Sequence, residues 1–115
     1  MILADERLPL DMTERGIVAL LTLAHHGHVT VESHSFYSLL TPAEQKTVLL
    51  LASILRIADG LDYLHLGTVQ EIHCVIDSEI ICDIVGSVDL SVEKERARAK
   101  ADLFERSFGR TLVIR

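Results

Sequence analysis

The sequence predicts an α+β fold, with a helical lobe over residues 1–66 followed by a β-β-α-β lobe over residues 67–115 that packs on it. Three observations predict this fold. Apolar residues recur at helical spacing in two segments before residue 60, and an alternation of period two begins after Gly67. A helical stripe and a short apolar run then complete the chain. With 115 residues, of which 49% are hydrophobic, the chain is long enough to form a hydrophobic core.

The first helix is predicted from about residue 12 to residue 26. Asp11 and Glu14 have the spacing of a capping box, and Gly27 can end the helix. Residues 28–40 show no sustained period and are predicted to form an ordered loop with one short helical turn. The inner stripe of the helix consists of Ile17, Leu20, Leu21 and Ala24.

The second helix is predicted over residues 42–59. The segment Thr41-Pro42-Ala43-Glu44 combines a capping box with proline at the first helical position. From Val48 onward, apolar residues point in nearly every direction around the axis, which is typical of a helix buried among other elements. We expect Gly60 to adopt a left-handed conformation and end the helix.

This ending leaves Asp59 in the last helical turn. The C-terminus of a helix carries partial negative charge, so a carboxylate there is destabilising unless a cation or a hydrogen-bond donor meets it. Arg56 lies three residues earlier and would form an ordinary ion pair with Asp59. The alternative is that Asp59 takes part in binding a ligand.

Two strands are predicted between Val69 and Val85. Ile72, Cys74 and Ile76 alternate on the first strand, and Ile80, Cys82 and Ile84 alternate on the second. The two triplets share one buried face only in an antiparallel hairpin with a three-residue loop, residues 77–79. This register places the two thiols within bonding distance, and we interpret both as reduced core residues.

A third helix is predicted from Ser91, as its cap, to about Phe108, and Gly109 ends it. Residues 111–114 form the last strand of a small antiparallel sheet. The isoleucine and cysteine face of this sheet is expected to pack on an apolar stripe of the helix, formed by Ala97, Ala101, Phe104 and Phe108.

Composition excludes several classes of function. The net charge of −6 argues against a general nucleic-acid binder. Charged residues follow Met1-Ile2-Leu3-Ala4 at once, which does not resemble a signal peptide, so a cytoplasmic location is expected. The apolar run of the second helix is too short and too interrupted to cross a bilayer. No Gly-rich phosphate loop or nucleophile elbow occurs.

Two groups of residues are candidates for binding. His25 and His26 end the first helix, and either could join Asp59 in holding a divalent metal ion that activates water, if the helix ends converge. A solvated helix end is the alternative. The second group is basic, and it could contact a polyanion or form a solvated face with the interleaved acidic residues. It comprises Arg96, Arg98, Lys100, Arg106 and Arg110.

Two segments carry a family resemblance. Residues 49–65, with the core Leu-Arg-Ile-Ala-Asp-Gly-Leu-Asp, and residues 100–110 both resemble the C-terminal region of the exopolyphosphatase and guanosine pentaphosphate phosphatase family. The resemblance implies a helical lobe similar to an HD-type phosphohydrolase domain, with Asp59 as the last aspartate of its metal-binding set. The helices that carry the other ligands have no counterpart here, and hydrolysis in the family is attributed to preceding domains. The chain alone is therefore expected to be inactive.

The resemblance also implies a function. It predicts an accessory domain that needs no cofactor and contributes to binding polyphosphate or guanosine pentaphosphate through Arg96, Arg98, Lys100, Arg106 and Arg110. It further predicts a homo-oligomer, because the apolar faces left by the missing helices should find a partner. One alternative is a metal-dependent HD-type phosphohydrolase that uses Asp59 with His25 or His26. The other is a purely structural dimerisation module.

Overall fold

The computed structural model describes residues 11–24 and 35–115. In these ranges the chain forms five helices and three strands, which confirms the α+β class. Two compact units divide the chain, residues 1–52 and residues 53–115. The elements are α1 (Met12–Ala24), α2 (Ser35–Ser38), α3 (Pro42–Leu61), β1 (Glu71–Ile76), β2 (Ile80–Val85), α4 (Ser91–Ala99), α5 (Asp102–Phe108) and β3 (Leu112–Ile114).

The first unit contains α1, α2 and the beginning of α3. The predicted cap of α1 is confirmed, because Asp11 Oδ1 accepts a hydrogen bond of 2.7 Å from the Glu14 N–H. This bond lowers the pKa of Asp11. The predicted end of the helix at residue 26 lies outside the described residues. The predicted helical turn between the first two long helices is confirmed as α2.

The start of α3 is also as predicted. The Thr41 N–H donates to Glu44 Oε1 at 2.9 Å, and the Glu44 N–H donates to Thr41 Oγ1 at 3.2 Å, which completes a capping box. The end of α3 differs from the prediction. The helix continues through Gly60 to Leu61, and the first left-handed residues after it are His65 and Gly67.

Gly60 is needed for close packing and not for ending the helix. It is buried against α4, where an added Cβ would lie 2.8 Å from both the backbone N and the Cα of Ala97. The missing side chain therefore allows two helix backbones to approach closely. The sequence does not distinguish a glycine that ends a helix from one that allows close packing, which is why the predicted end of α3 was wrong.

The middle of α3 is less buried than its composition predicts. Val48, Ala52 and Ser53 are buried, but Ile54 and Leu55 are exposed, Ile54 by 48%. The prediction of a helix covered on all sides is therefore wrong. Apolar composition measures how favourable burial would be, but it does not supply the neighbouring element that would cover each face.

The hairpin has the predicted register. Ile76 pairs with Ile80, Cys74 with Cys82 and Ile72 with Ile84 in an antiparallel β1–β2 pair. The Asp77 N–H donates to the Glu79 carbonyl at 2.9 Å across the predicted three-residue loop.

The third strand corrects the predicted sheet. β3 pairs with β2 in parallel, so the sheet is mixed and has the order β1-β2-β3. The connection from β2 to β3 contains α4 and α5, and a helical crossover of this kind returns the chain in the same direction. Strand direction depends on this crossover and not on the short apolar run of β3, which is why the antiparallel prediction was wrong.

The predicted third helix is two helices. The Lys100 N–H donates to the Ala97 carbonyl at 3.1 Å and the Ala101 N–H to the Arg98 carbonyl at 3.2 Å. These three-residue spacings tighten the chain and separate α4 from α5. Gly109, with φ 67°, ends α5 as predicted.

The predicted cap of α4 is also wrong. Ser91 is already the first helical residue, and Asp89 Oδ1 accepts hydrogen bonds from its backbone N–H at 3.0 Å and its hydroxyl at 2.5 Å. These bonds lower the pKa of Asp89, the hydroxyl bond most. The carboxylate two residues upstream thus takes the role predicted for the serine.

The core of the second unit lies between α3, α4 and the sheet. Its buried members are Leu61, Ile84, Leu90, Ala97 and Ile114. None of the helices in the described ranges is long and apolar enough to cross a membrane.

Candidate functional site

An open apolar groove of about 330 Å³ lies within the second unit. Its walls come from the last turns of α3, from α5 and from one face of the sheet. Every side chain that lines it belongs to isoleucine, leucine, alanine, phenylalanine or cysteine, and the lining includes Ile54, Ile72, Ile76, Cys82, Phe104 and Phe108. The groove can therefore bind apolar surface, but it offers no charged group to a phosphate.

The elements predicted to pack against each other line this groove together. Phe104 is buried and stacks on Phe108, with ring centroids 4.3 Å apart. The isoleucine and cysteine face of the hairpin is less covered, because every residue of β1 is exposed. Ile72 is 48% exposed and Ile76 68%. The predicted sheet face exists, but its β1 half is open to solvent.

Asp59 forms an ion pair with Lys100, which lies 41 residues later in the sequence. Lys100 Nζ, in the break between α4 and α5, lies 2.5 Å from Asp59 Oδ2. Both side chains are mostly shielded from solvent. The ammonium group thus balances a carboxylate near the negative end of α3.

We expect this ion pair to have a measurable but modest effect on stability. In a double-mutant cycle of Asp59→Asn and Lys100→Met, the coupling free energy should be about 1 kcal/mol, because the partly shielded pair is still screened by water. Urea unfolding of the two single variants and the double variant measures it. Additive effects of the two changes would contradict a direct ion pair, and Asp62→Asn is the matched control for loss of a nearby exposed carboxylate.

The predicted metal set is only partly visible. His25 and His26 lie outside the described residues, so the set they would form with Asp59 stays a prediction. Within the described ranges, no group of three or more histidine, cysteine, aspartate or glutamate side chains is arranged to hold a metal ion. Asp62 contacts His65 Nδ1 at 3.2 Å in an exposed pair.

At least three of the five candidate anion-binding residues contact other groups in the second unit. The Arg96 guanidinium lies 4.2 Å from the centroid of the Tyr63 ring, and Arg98 Nη2 donates to the Ile114 carbonyl at 2.6 Å. Lys100 contacts Asp59. Arg106 and Arg110 are exposed near the end of α5. Structural contacts therefore occupy much of the α4 part of this basic group.

Two acidic residues that the sequence places on a solvated face have structural roles. Glu93 is only 4% exposed, and Thr68 Oγ1 donates to its Oε1 at 3.3 Å. Glu105 Oε2 accepts a hydrogen bond of 2.8 Å from the Leu112 N–H, which connects α5 to β3. The position of Glu93 in the first turn of α4, where a carboxylate is favoured, was the available sequence signal.

The two cysteines differ in environment. Cys74 is exposed and Cys82 half-buried, and neither forms a disulfide. Burial, followed by hydrogen bonding to Cys74, raises the pKa of the Cys82 thiol to about 12. Cys82 is therefore protonated at neutral pH and has little nucleophilic character. The prediction of two buried thiols is correct only in part, because Cys74 lies at the surface.

No family model matches the chain, and no curated protein matches it. The resemblance to the exopolyphosphatase and guanosine pentaphosphate phosphatase family stays a prediction.

Proposed function

We propose that this chain is a non-catalytic accessory domain, related to exopolyphosphatase and guanosine pentaphosphate phosphatase, that associates subunits through its apolar groove. The observation that carries this proposal is the groove itself, with exposed Ile54, Ile72 and Ile76 around it. Contiguous exposed apolar surface on a protein of this size is typical of an interaction site. The buried centre of a protein interface is similarly depleted of charged residues.

The chemistry of the groove favours association over hydrolysis. A metal-dependent phosphohydrolase needs ligands that hold a metal ion and orient water. The side chains that line this groove carry no carboxylate and no imidazole. The predicted metal residue Asp59 contacts Lys100, an arrangement that stabilises the fold without any ion.

Charge introduced at the rim of the groove should weaken association. We expect Ile54→Asp with Ile76→Asp to raise the dissociation constant at least about tenfold, since each carboxylate would lose water on burial in an apolar interface. Sedimentation velocity over a range of protein concentrations measures this constant. Val88→Asp is the matched control, because Val88 is equally apolar and exposed but does not line the groove.

Two results would contradict this function. One is a wild-type chain that stays monomeric at every concentration. The other is metal-dependent hydrolysis of polyphosphate or guanosine pentaphosphate by the chain alone, with Mn²⁺ or Zn²⁺, that Asp59→Asn abolishes. The second result would support the HD-type phosphohydrolase with Asp59 and His25 or His26.

We also propose that the chain contacts polyphosphate, as the family resemblance implies, and this contact has a separate test. The exposed Arg110 guanidinium offers a charge-assisted contact to a phosphate group at the surface. We expect Arg110→Gln to weaken polyphosphate binding several-fold and to reduce its salt dependence, because one fewer counterion is released. Isothermal titration at several salt concentrations measures both quantities. Lys46→Gln, which removes an exposed cation from the first turns of α3, should leave both unchanged.

A further inference from the structure

We propose that two copies of the chain pair through β1, antiparallel, with Cys74 of each copy opposite Cys74 of the other. This inference rests on the proposed function and specifies the strand and the register through which two copies meet. The pairing would convert two three-stranded sheets into one continuous sheet with the order β3-β2-β1-β1-β2-β3. It would also join the two apolar groove faces along the same side of that sheet.

Among the described residues, no strand pairs with the outer edge of β1, and this edge carries the hydrogen-bonding groups that the pairing needs. β1 is the edge strand of the sheet, and its neighbour on the other side is β2. In an antiparallel pair, hydrogen-bonded and non-hydrogen-bonded positions alternate. The Asp77 N–H donates to Glu79, so the odd-numbered residues of β1 bond to β2. The N–H and C=O groups of Ile72, Cys74 and Ile76 therefore point to the open edge.

The same three residues carry the side chains that line the groove. Residues directly opposite each other in an antiparallel pair lie on the same face of a sheet. A pairing of two β1 strands that matches even-numbered positions thus keeps both groove faces on one side. β1 contains no lysine or proline, the residues that commonly protect an edge strand from such pairing.

The hydrogen bonds favour a pairing centred on Cys74 over one centred on His73. A pairing centred on His73 would need the Gln70 N–H of each copy to bond to Ile76 of the other copy. That N–H already donates to the Val85 carbonyl at 2.8 Å. A pairing centred on Cys74 uses only outward-pointing groups, with Ile72 opposite Ile76 of the second copy at both ends. The geometry therefore favours the Cys74-centred register.

This register has one electrostatic cost. On the face away from the groove, Glu71 lies opposite Asp77 of the second copy at each end of the pair. Both residues are exposed, so their repulsion is screened by salt. Added sodium chloride should strengthen the dimer, whereas it weakens binding of a polyanion.

Oxidative cross-linking tests the register directly. The Cα atoms of a hydrogen-bonded antiparallel pair lie about 5.5 Å apart, a distance that a disulfide can span. We expect the Cys82→Ser variant, which retains Cys74, to form a covalent dimer with diamide. The two Cys74 thiols form a disulfide, and the N=N bond of diamide takes up their two electrons and two protons. Non-reducing electrophoresis measures the yield. The Cys74→Ser variant should form none, and Ser87→Cys in a chain lacking both native cysteines measures random collision.

A backbone variant tests the edge independently. Cys74→Pro removes an outward-pointing N–H, which β2 does not use, so the hairpin should persist by circular dichroism. We expect this change to raise the dissociation constant at least about tenfold, and by more than Cys74→Ala, which alters the side chain but keeps the backbone N–H. If Cys74→Pro does not fold, the cross-linking yield alone decides whether two β1 strands pair.

The outcomes separate this inference from the proposed function. Association that is sensitive to Ile54→Asp and Ile76→Asp, but shows no Cys74 cross-link above the collisional control, overturns the edge pairing and leaves groove association standing. Association that persists in a folded Cys74→Pro variant also overturns the edge pairing and leaves groove association standing. A monomer at all concentrations overturns both, and it is also the result expected if another segment of the same chain covers the β1 edge.

Discussion

We expect Gly60→Val to lower the free energy of unfolding of the second unit by about 3 kcal/mol. A Cβ at this position would lie 2.8 Å from backbone atoms of Ala97, which cannot rotate away as the end of a flexible side chain can. Relief requires α3 and α4 to separate, which opens the core around Leu61 and Ala97. The clash therefore exceeds any gain in helix propensity from replacing glycine.

Urea unfolding followed by circular dichroism measures this effect. Gly67→Ala is the control, because an added Cβ there meets no atom within 4 Å and its cost comes only from the φ of +62°. We expect this control to cost about 1 kcal/mol. Equal effects of the two changes would contradict a dominant clash with α4 at position 60.

We expect Phe104→Ala to be the second large effect, with a loss of about 3 kcal/mol in the free energy of unfolding. Phe104 is buried at 8% exposure and stacks on Phe108 at 4.3 Å. Its removal deletes apolar contacts and enlarges the neighbouring groove, which is too open to collapse around the lost ring.

Thermal unfolding of Phe104→Ala and Phe108→Ala separates burial from stacking. Both variants lose the same ring-to-ring contact, but Phe108 is only half-buried. The loss for Phe108→Ala should therefore be smaller. If the two losses are equal, the stacked pair and not the burial of Phe104 dominates the stability of α5.

Local features of the fold were predictable because their causes lie within a few residues. The Asp11 side-chain cap and the capping box at Thr41 both satisfy backbone groups that are three residues away in the sequence. The hairpin register follows from two apolar triplets and the requirement that they share one face. Gly109 ends α5 because the left-handed conformation there favours glycine.

The candidate site was predictable only in part. The need of Asp59 for a cation follows from its place near the end of a helix, and Arg56 was the partner available nearby in sequence. Lys100 is 41 residues away and reaches Asp59 only because the α4–α5 break is folded against α3. The isoleucine and cysteine face and the two phenylalanines were identified from periodicity. Periodicity did not show that these two apolar faces line an open groove instead of packing closely against each other.

The sequence by itself determined the α+β class, the capped starts of α1 and α3, the hairpin register and the apolar faces of its elements. These features depend on hydrogen bonds and periodicities that extend over a few residues. Only the tertiary structure decided the parallel direction of β3, the packing role of Gly60, the Asp59–Lys100 pair and the place of β1 at the edge of the described sheet. Each of these depends on which distant segments meet, and the free energy of that choice is distributed over the whole packed unit.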